Sequence, residues 1–245
     1  MEIDEYKKMY DLEESHWWFL NKRKLIFSFL RKYYPKKDIE RRILDVGCGT
    51  GIILNEFNKY GKAYGIDLSQ HALKFCKLRG LKNVTKGSVL DIPFRSNYFD
   101  IIGCFDVLYH KDVSDDEKAL KELARVCKKG GRIFITDSAC KFLLGRHDIA
   151  SHARTRYNAN EIQQKLKSAG FKIERLTYYN FFLFPFVFLK RKLGILFDTK
   201  GSTDLKKENP LVNVLLKFIM SIERTLLKWI NFPFGVSLFC IAKKL

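Results

Sequence analysis

Asp45, Gly47, Gly49 and Gly51 fall within one run, RILDVGCGTG (residues 42–51). A carboxylate followed by alternating glycines suits a ligand that must touch the backbone, because glycine turns tightly and presents no side chain. Phosphate-binding loops read GxGxxG or GxxxxGK[ST]. This loop reads DxGxGxG with no Lys-Ser/Thr after it, which excludes the Walker type and leaves a dinucleotide-type site open. Asp67 follows at the end of the next apolar run, where a carboxylate can accept hydrogen bonds from both hydroxyls of an adenosine ribose. For proton transfer the nearest candidate by position is His110, which closes FDVLYH. His147 and His152 lie in GRHDIASHARTRY, beside Arg146, Arg154 and Arg156. All three histidines also read as capping, packing or solvated residues.

These residues need a scaffold, and the chain spells one. Short apolar runs at 43–47, 63–68, 83–89, 99–108 and 132–138 read as strands. Between them, segments 51–60, 70–79 and 115–128 carry apolar residues at helical spacing, the second stopping at Gly80 and the third at Gly130–Gly131. Alternation of this kind predicts a parallel sheet with helices on both faces, which binds ligands at the carboxyl ends of its strands. A helix at 160–169, a strand at 171–176 and a final strand at 235–244 follow. The aromatic and basic stretch 178–233 reads as an insertion before the last strand, and residues 1–34 as one or two amphipathic helices. Both are placed over the carboxyl edge.

With 245 residues, 47% of them hydrophobic, the chain can bury the core of one domain. Lys and Arg exceed Asp and Glu by 18, which points to a polyanionic partner: nucleic acid, an anionic membrane surface or a phosphate-bearing substrate. Cys48, Cys76, Cys104, Cys127, Cys140 and Cys240 form no CxxC pair, so neither disulfides nor a zinc or other metal site is expected, and a reducing compartment fits. The charged start, MEIDEYKKMYDLEE, is not a signal peptide, and no apolar run reaches the length of a membrane span. The expected location is cytoplasmic, with peripheral contact to an anionic membrane.

ILDVGCGTG, YGIDLS, DIPFRSNYFDII, FDVLYH and ALKELARVCKKGGRIFI, in that order, resemble the class I S-adenosylmethionine-dependent methyltransferases, in the group that includes the quinone-biosynthesis C-methyltransferases. The resemblance implies a Rossmann-like, doubly wound seven-stranded α/β sheet whose last strand is antiparallel. It makes the chain a single domain: an N-terminal helical lid (1–42), a cofactor half (43–140) and a substrate half (141–245). It implies S-adenosylmethionine as cofactor, its methionyl part held by Asp45, Gly47, Cys48, Gly49 and Gly51. Asp67 binds the ribose and Leu68 lies beside the adenine. Ser88 and Val89 line the adenine edge, Ser88 standing where the family often has Asp. Phe105 and Asp106 lie near the transferable methyl, and Trp18 and Arg23 of HWWFLNKRKLI close over the methionyl group or the acceptor.

HWWF, HARTRY and the aromatic segment around Pro185 also resemble a subgroup encoded with glycan and lipid biosynthesis enzymes. That likeness implies a lipid-linked, isoprenoid or sugar acceptor. The aromatic run 178–197 carries Lys190, Arg191 and Lys192. The run 211–229 joins Leu215, Leu216, Ile219, Ile222 and Leu226 to Lys217, Arg224 and Lys228. Such segments suit a lipid interface, or pack on the sheet with a solvated basic face. An RNA (tRNA) methyltransferase fits the charge, and a non-catalytic cofactor-fold binding protein stands as the reading outside enzymes.

Overall fold

A computed structural model describes residues 3–145, 148, 152–196 and 208–245. Seven strands form one sheet: β1 (Arg42–Val46), β2 (Lys62–Asp67), β3 (Val84–Lys86), β4 (Phe99–Phe105), β5 (Cys127–Ser138), β6 (Phe171–Tyr179) and β7 (Ser237–Lys244). Their order is β3-β2-β1-β4-β5-β7-β6. β1 to β5 pair in parallel, and β7 runs antiparallel between β5 and β6. This is the expected doubly wound sheet with its last strand reversed. β1 pairs with β2 on one side and β4 on the other, so the chain switches direction around it and a crevice opens beyond its carboxyl end.

Helices cover both faces. α1 (Ile3–Leu12), α2 (Trp17–Tyr33), α3 (Ile52–Phe57), α4 (Gln70–Leu78), α5 (Asp116–Val126), α6 (Ala159–Ser168), α7 (Phe184–Leu196) and α8 (Pro210–Leu226) follow in chain order. Leu25, Ile26 and Leu30 of α2 pack with Leu54 and Phe57 of α3 and Ile43, Ile101 and Phe239 of the sheet, all 3% exposed or less. Leu120 and Leu123 of α5 and Ile162 and Leu166 of α6 fill the other face.

Several element boundaries differ from the sequence reading. The third strand stops at Lys86, since residues 88–91 fold back as a tight bridge between Ser88 and Asp91. α5 ends at Val126, and β5 begins at Cys127, ahead of the glycine pair that the periodicity took for the helix stop. The 178–233 insertion contains α7 and α8, with residues 197–207 outside the described set.

Candidate functional site

The glycine loop leaves β1 at the crevice. Gly47 and Cys48 both donate to Ile66 O, at 2.8 and 3.0 Å, which ties the loop to β2. Gly47 has φ +68°, and a Cβ there would lie 2.4 Å from Val107 Cγ2. Gly49 has φ +54°, but a Cβ there would meet only the Met9 Cε, at 3.1 Å. Gly51 (φ +87°) precedes α3, and Cys76 at the end of α4 donates its thiol to Gly49 O at 3.2 Å. Asp67 accepts the Gly49 N–H at 2.9 Å and the Ser69 N–H at 2.8 Å. Its carboxyl is raised above the usual range by burial, against the pull of those two amides.

Three more carboxylates stand at the strand ends. Asp45 is 2% exposed, and one of its oxygens is buried without a hydrogen-bond partner. Burial, and next the Asp67 charge, push its carboxyl well above the usual range, while Lys22 pulls it down. Asp106 sits in the left-handed region (φ 57°), where Lys22 Nζ reaches it at 2.6 Å and the Thr136 hydroxyl donates to it at 3.1 Å. Asp137, one residue beyond Thr136, also has a buried oxygen with no partner, and burial followed by the Asp106 charge raises its carboxyl strongly. Within a chain of net charge +18 this is an acid-lined cradle, the arrangement a cationic ligand requires.

α1 lies across that cradle. Met9 hangs over Gly49, and the Tyr6 phenol, close to Asp67 and Ser69, is pushed up to about 12 by burial and then by the Asp67 charge. Glu13 fastens the cap: the Thr50 hydroxyl donates to both its oxygens, at 2.6 and 2.7 Å, and Arg79 Nη2 meets it at 2.5 Å. Arg79 also donates to Thr50 O at 3.0 Å and stacks on the Tyr10 ring at 4.3 Å.

The remaining residues named from the sequence distribute as follows. Leu68 is 44% exposed beside Asp67. The Ser88 hydroxyl accepts the Leu90 amide at 3.1 Å within its own turn, and Val89 is buried next to it. Phe105 is buried and stacks on Phe57. Trp18 packs edge-on against Trp17 behind the His16 cap of α2. Arg23 turns to Glu56 at 3.0 Å and to Glu13 O at 3.1 Å, and Lys22, one residue earlier, is the cation that reaches the strand ends.

His110 is half-buried 5.8 Å from the His152 ring, and its imidazole is lowered by burial against the Asp112 charge. The Asp112 amide donates to His110 Nδ1 at 3.3 Å, which in the neutral ring leaves the proton on Nε2. His147 and Arg146 lie outside the described residues. Arg154 pairs with Asp116 at 3.2 Å, and Arg156 is 2% exposed and bonded to Asp148.

Tyr6, Met9, Glu13, Lys22, Thr136 and Asp137 were not singled out from the sequence. Asp137 had a signal, since ITDS closes the fifth strand at the edge where ligands bind. Lys22 stood beside the residue chosen.

Residues 44–135 match the methyltransferase domain family. The chain is 34% identical over 167 residues to an uncharacterized methyltransferase of Schizosaccharomyces pombe, covering 60% of this chain and 58% of that protein. It is 36% identical over 138 residues to the demethylmenaquinone methyltransferase of Geobacillus stearothermophilus, covering 49% of this chain and 58% of that one. The chain thus spans less than two thirds of the length of these relatives. A putative sarcosine dimethylglycine methyltransferase from Galdieria sulphuraria shares the fold, with TM-score 0.60 and 18% identity over 92% of this chain and 86% of that one.

Residues 44–135 form an S-adenosylmethionine-dependent methyltransferase domain. S-adenosylmethionine is the cofactor of this domain, and the residues present fit it. The cofactor is cationic at its ammonium and sulfonium groups, and the methyltransferase cradle presents Asp45, Asp67 and Asp106 around glycines that leave room for a ligand. Asp45 gives this fit a measurable sign. Burial favours its protonated form, whereas a bound cation favours the carboxylate, so the bound pKa lies below the free one. Binding is therefore expected to release a proton between those two pKa values, with affinity rising as pH rises through them. Calorimetric titration of the methyltransferase domain with S-adenosylmethionine, in two buffers of different ionisation enthalpy, measures that release. It should vanish in Asp45→Asn, and equal proton release in the variant would assign it to another group.

Proposed function

We propose that this chain transfers the methyl group of S-adenosylmethionine to an apolar acceptor: lipid-linked, isoprenoid or a sugar on such a carrier. One observation carries the acceptor class. β6 runs parallel to β5, so its carboxyl end lies on the same edge as the glycine loop, and β7 starts from that edge. Both ends of the insertion therefore attach beside the cradle. There the Phe181 ring stacks on Phe232 at 4.5 Å and lies 4.6 Å from Phe234, and Phe184 lies 5.1 Å from Phe234. An aromatic wall at that edge suits hydrocarbon better than a hydrated polar substrate. The relative from Geobacillus stearothermophilus supports the same reading, since its name places its chemistry on a quinone.

When bound, the cofactor supplies an electrophilic methyl on sulfur. The protein's share is alignment and exclusion of water. The glycine loop and Asp67 would hold the cofactor at the strand ends, Lys22 holds Asp106 in its left-handed turn, and α1, with Met9 over Gly49, would shield the site from solvent. His110 is the candidate proton acceptor where the acceptor atom must lose a proton. For that role the Asp112 carboxylate, 3.4 Å from Nδ1, takes over from the Asp112 amide and frees Nε2 to accept. Reduced cysteines, all six of them free, support a cytoplasmic setting.

The test is methyl transfer from labelled S-adenosylmethionine into a lysate of the source cells, followed by counting the organic, RNA and small polar fractions. Label in the organic phase is expected. The net charge of +18 favours one other substrate, RNA, and label there would replace the lipid reading. No transfer into any fraction, with cofactor affinity intact, would make the chain a binding protein.

A further inference from the structure

α8 is mounted with its apolar stripe outward. Leu211, Val214, Leu215, Phe218, Ile222 and Leu226 recur at three- and four-residue spacing, and all are exposed, Leu211 by 81% and Phe218 by 64%. A surface helix ordinarily turns that stripe to the core. Here Met220 is buried against the protein, and the other contacts that seat the helix come from polar residues. Asn213 Oδ1 accepts the Trp17 amide at 2.9 Å, and its Nδ2 donates to Ser15 O at 3.2 Å. Arg224 donates to Asn21 Oδ1 at 2.9 Å. Glu223, 1% exposed, accepts the amides of Asn180 at 2.5 Å and Phe182 at 3.1 Å. These partners fix the helix's rotation and leave the stripe to solvent.

Exposed apolar residues extend beyond this stripe. Beyond the end of α8, Trp229 is 84% exposed beside the exposed Lys228. α7, the other helix of the insertion, also exposes Phe186 by 72% and Leu189 by 56%. So many exposed aliphatic and aromatic residues on one insertion mark an interaction site.

We propose that α7 and α8 together dock this protein on an anionic lipid bilayer, lying in its interface with the stripe toward the acyl chains. Charge decides the occupant. A chain of net charge +18 is attracted to anionic headgroups and repelled by a second copy of itself. Lys228, exposed just beyond the end of α8, has a stem long enough to reach headgroups while the stripe inserts. Among the described residues no helix is long and apolar enough to cross a membrane, so the contact is interfacial. The face stands whatever the acceptor proves to be.

Sedimentation with vesicles tests this without cofactor or acceptor, and so independently of methyl transfer. The full chain is expected to bind vesicles of phosphatidylcholine mixed with phosphatidylglycerol about tenfold or more tightly than vesicles of phosphatidylcholine alone. Phe218→Asp and Trp229→Ser should each weaken that binding about tenfold. Both residues are exposed, so thermal unfolding and S-adenosylmethionine affinity should stay at wild-type values. No binding to either vesicle overturns the proposal. So does equal binding by wild type and Phe218→Asp, which would assign the attraction to charge spread over the whole surface. Light scattering that finds a dimer dissociated by Phe218→Asp would give the face to a second copy and overturn it equally.

Discussion

Gly49→Val is expected to abolish S-adenosylmethionine binding and leave the chain folded, whereas Gly47→Ala should destabilise the fold along with the site. Both glycines have positive φ, which costs a residue with a side chain about 1–2 kcal/mol. They differ in their surroundings. A Cβ on Gly47 falls 2.4 Å from Val107 Cγ2, on a β-branched side chain that cannot swing aside, which adds about 1–3 kcal/mol of overpacking. A Cβ on Gly49 meets only the tip of Met9, at 3.1 Å, and methionine repacks readily. Its isopropyl group would then occupy the face of the loop that the ligand must touch. Thermal unfolding with calorimetric titration separates the two. Gly49→Val should stay within a few degrees of wild type, with affinity reduced at least about 100-fold, roughly 2.7 kcal/mol. Near wild-type affinity in that variant would move the cofactor off this loop.

The second large effect falls on Arg156 in HARTRY, a stretch whose resemblance implies a lipid-linked, isoprenoid or sugar acceptor. Arg156→Met should destabilise the fold by about 3–5 kcal/mol, the usual consequence of removing one partner of a buried ion pair. Arg156 meets the Asp148 carboxylate at 2.7 Å and donates to Ala139 O at 2.9 Å, with Val236 O at 3.5 Å. It thus joins the exit of β5, Asp148 and the entry of β7. For a domain of this size that loss lowers Tm by about 10 °C. Differential scanning calorimetry reads it directly, and a Tm within about 2 °C of wild type would show that the buried ion pair does not hold this region together.

The sheet was legible because its strands are apolar on both faces and stand between well-punctuated helices. Buried parallel strands leave that pattern in any sequence. The cradle was legible where a backbone requirement leaves its own mark, as at Gly47, Gly49 and Asp67. It was not legible where the choice depends on helix rotation. Lys22 and Arg23 are adjacent and alike in charge, and only the packing of Leu25, Ile26 and Leu30 decides which of them faces Asp106. Arg154 and Arg156 sit in a loop without periodicity, so nothing local reveals that one is buried against carbonyls from residues 139 and 236. α8 misleads more deeply. Its apolar period is plain, but the side facing the protein is set by Glu223, Arg224 and Asn213, whose partners are 40 to 200 residues away.

The cap over the glycine loop has a kinetic consequence. Glu13 is 1% exposed and bonded to both Thr50 and Arg79, so α1 leaves the loop only by giving up several charge-assisted contacts together. Under the proposed methyl transfer, exchange of the cofactor is expected to wait on that ten-residue helix lifting, which makes ordered binding the expected kinetics, with cofactor on first and spent cofactor off last.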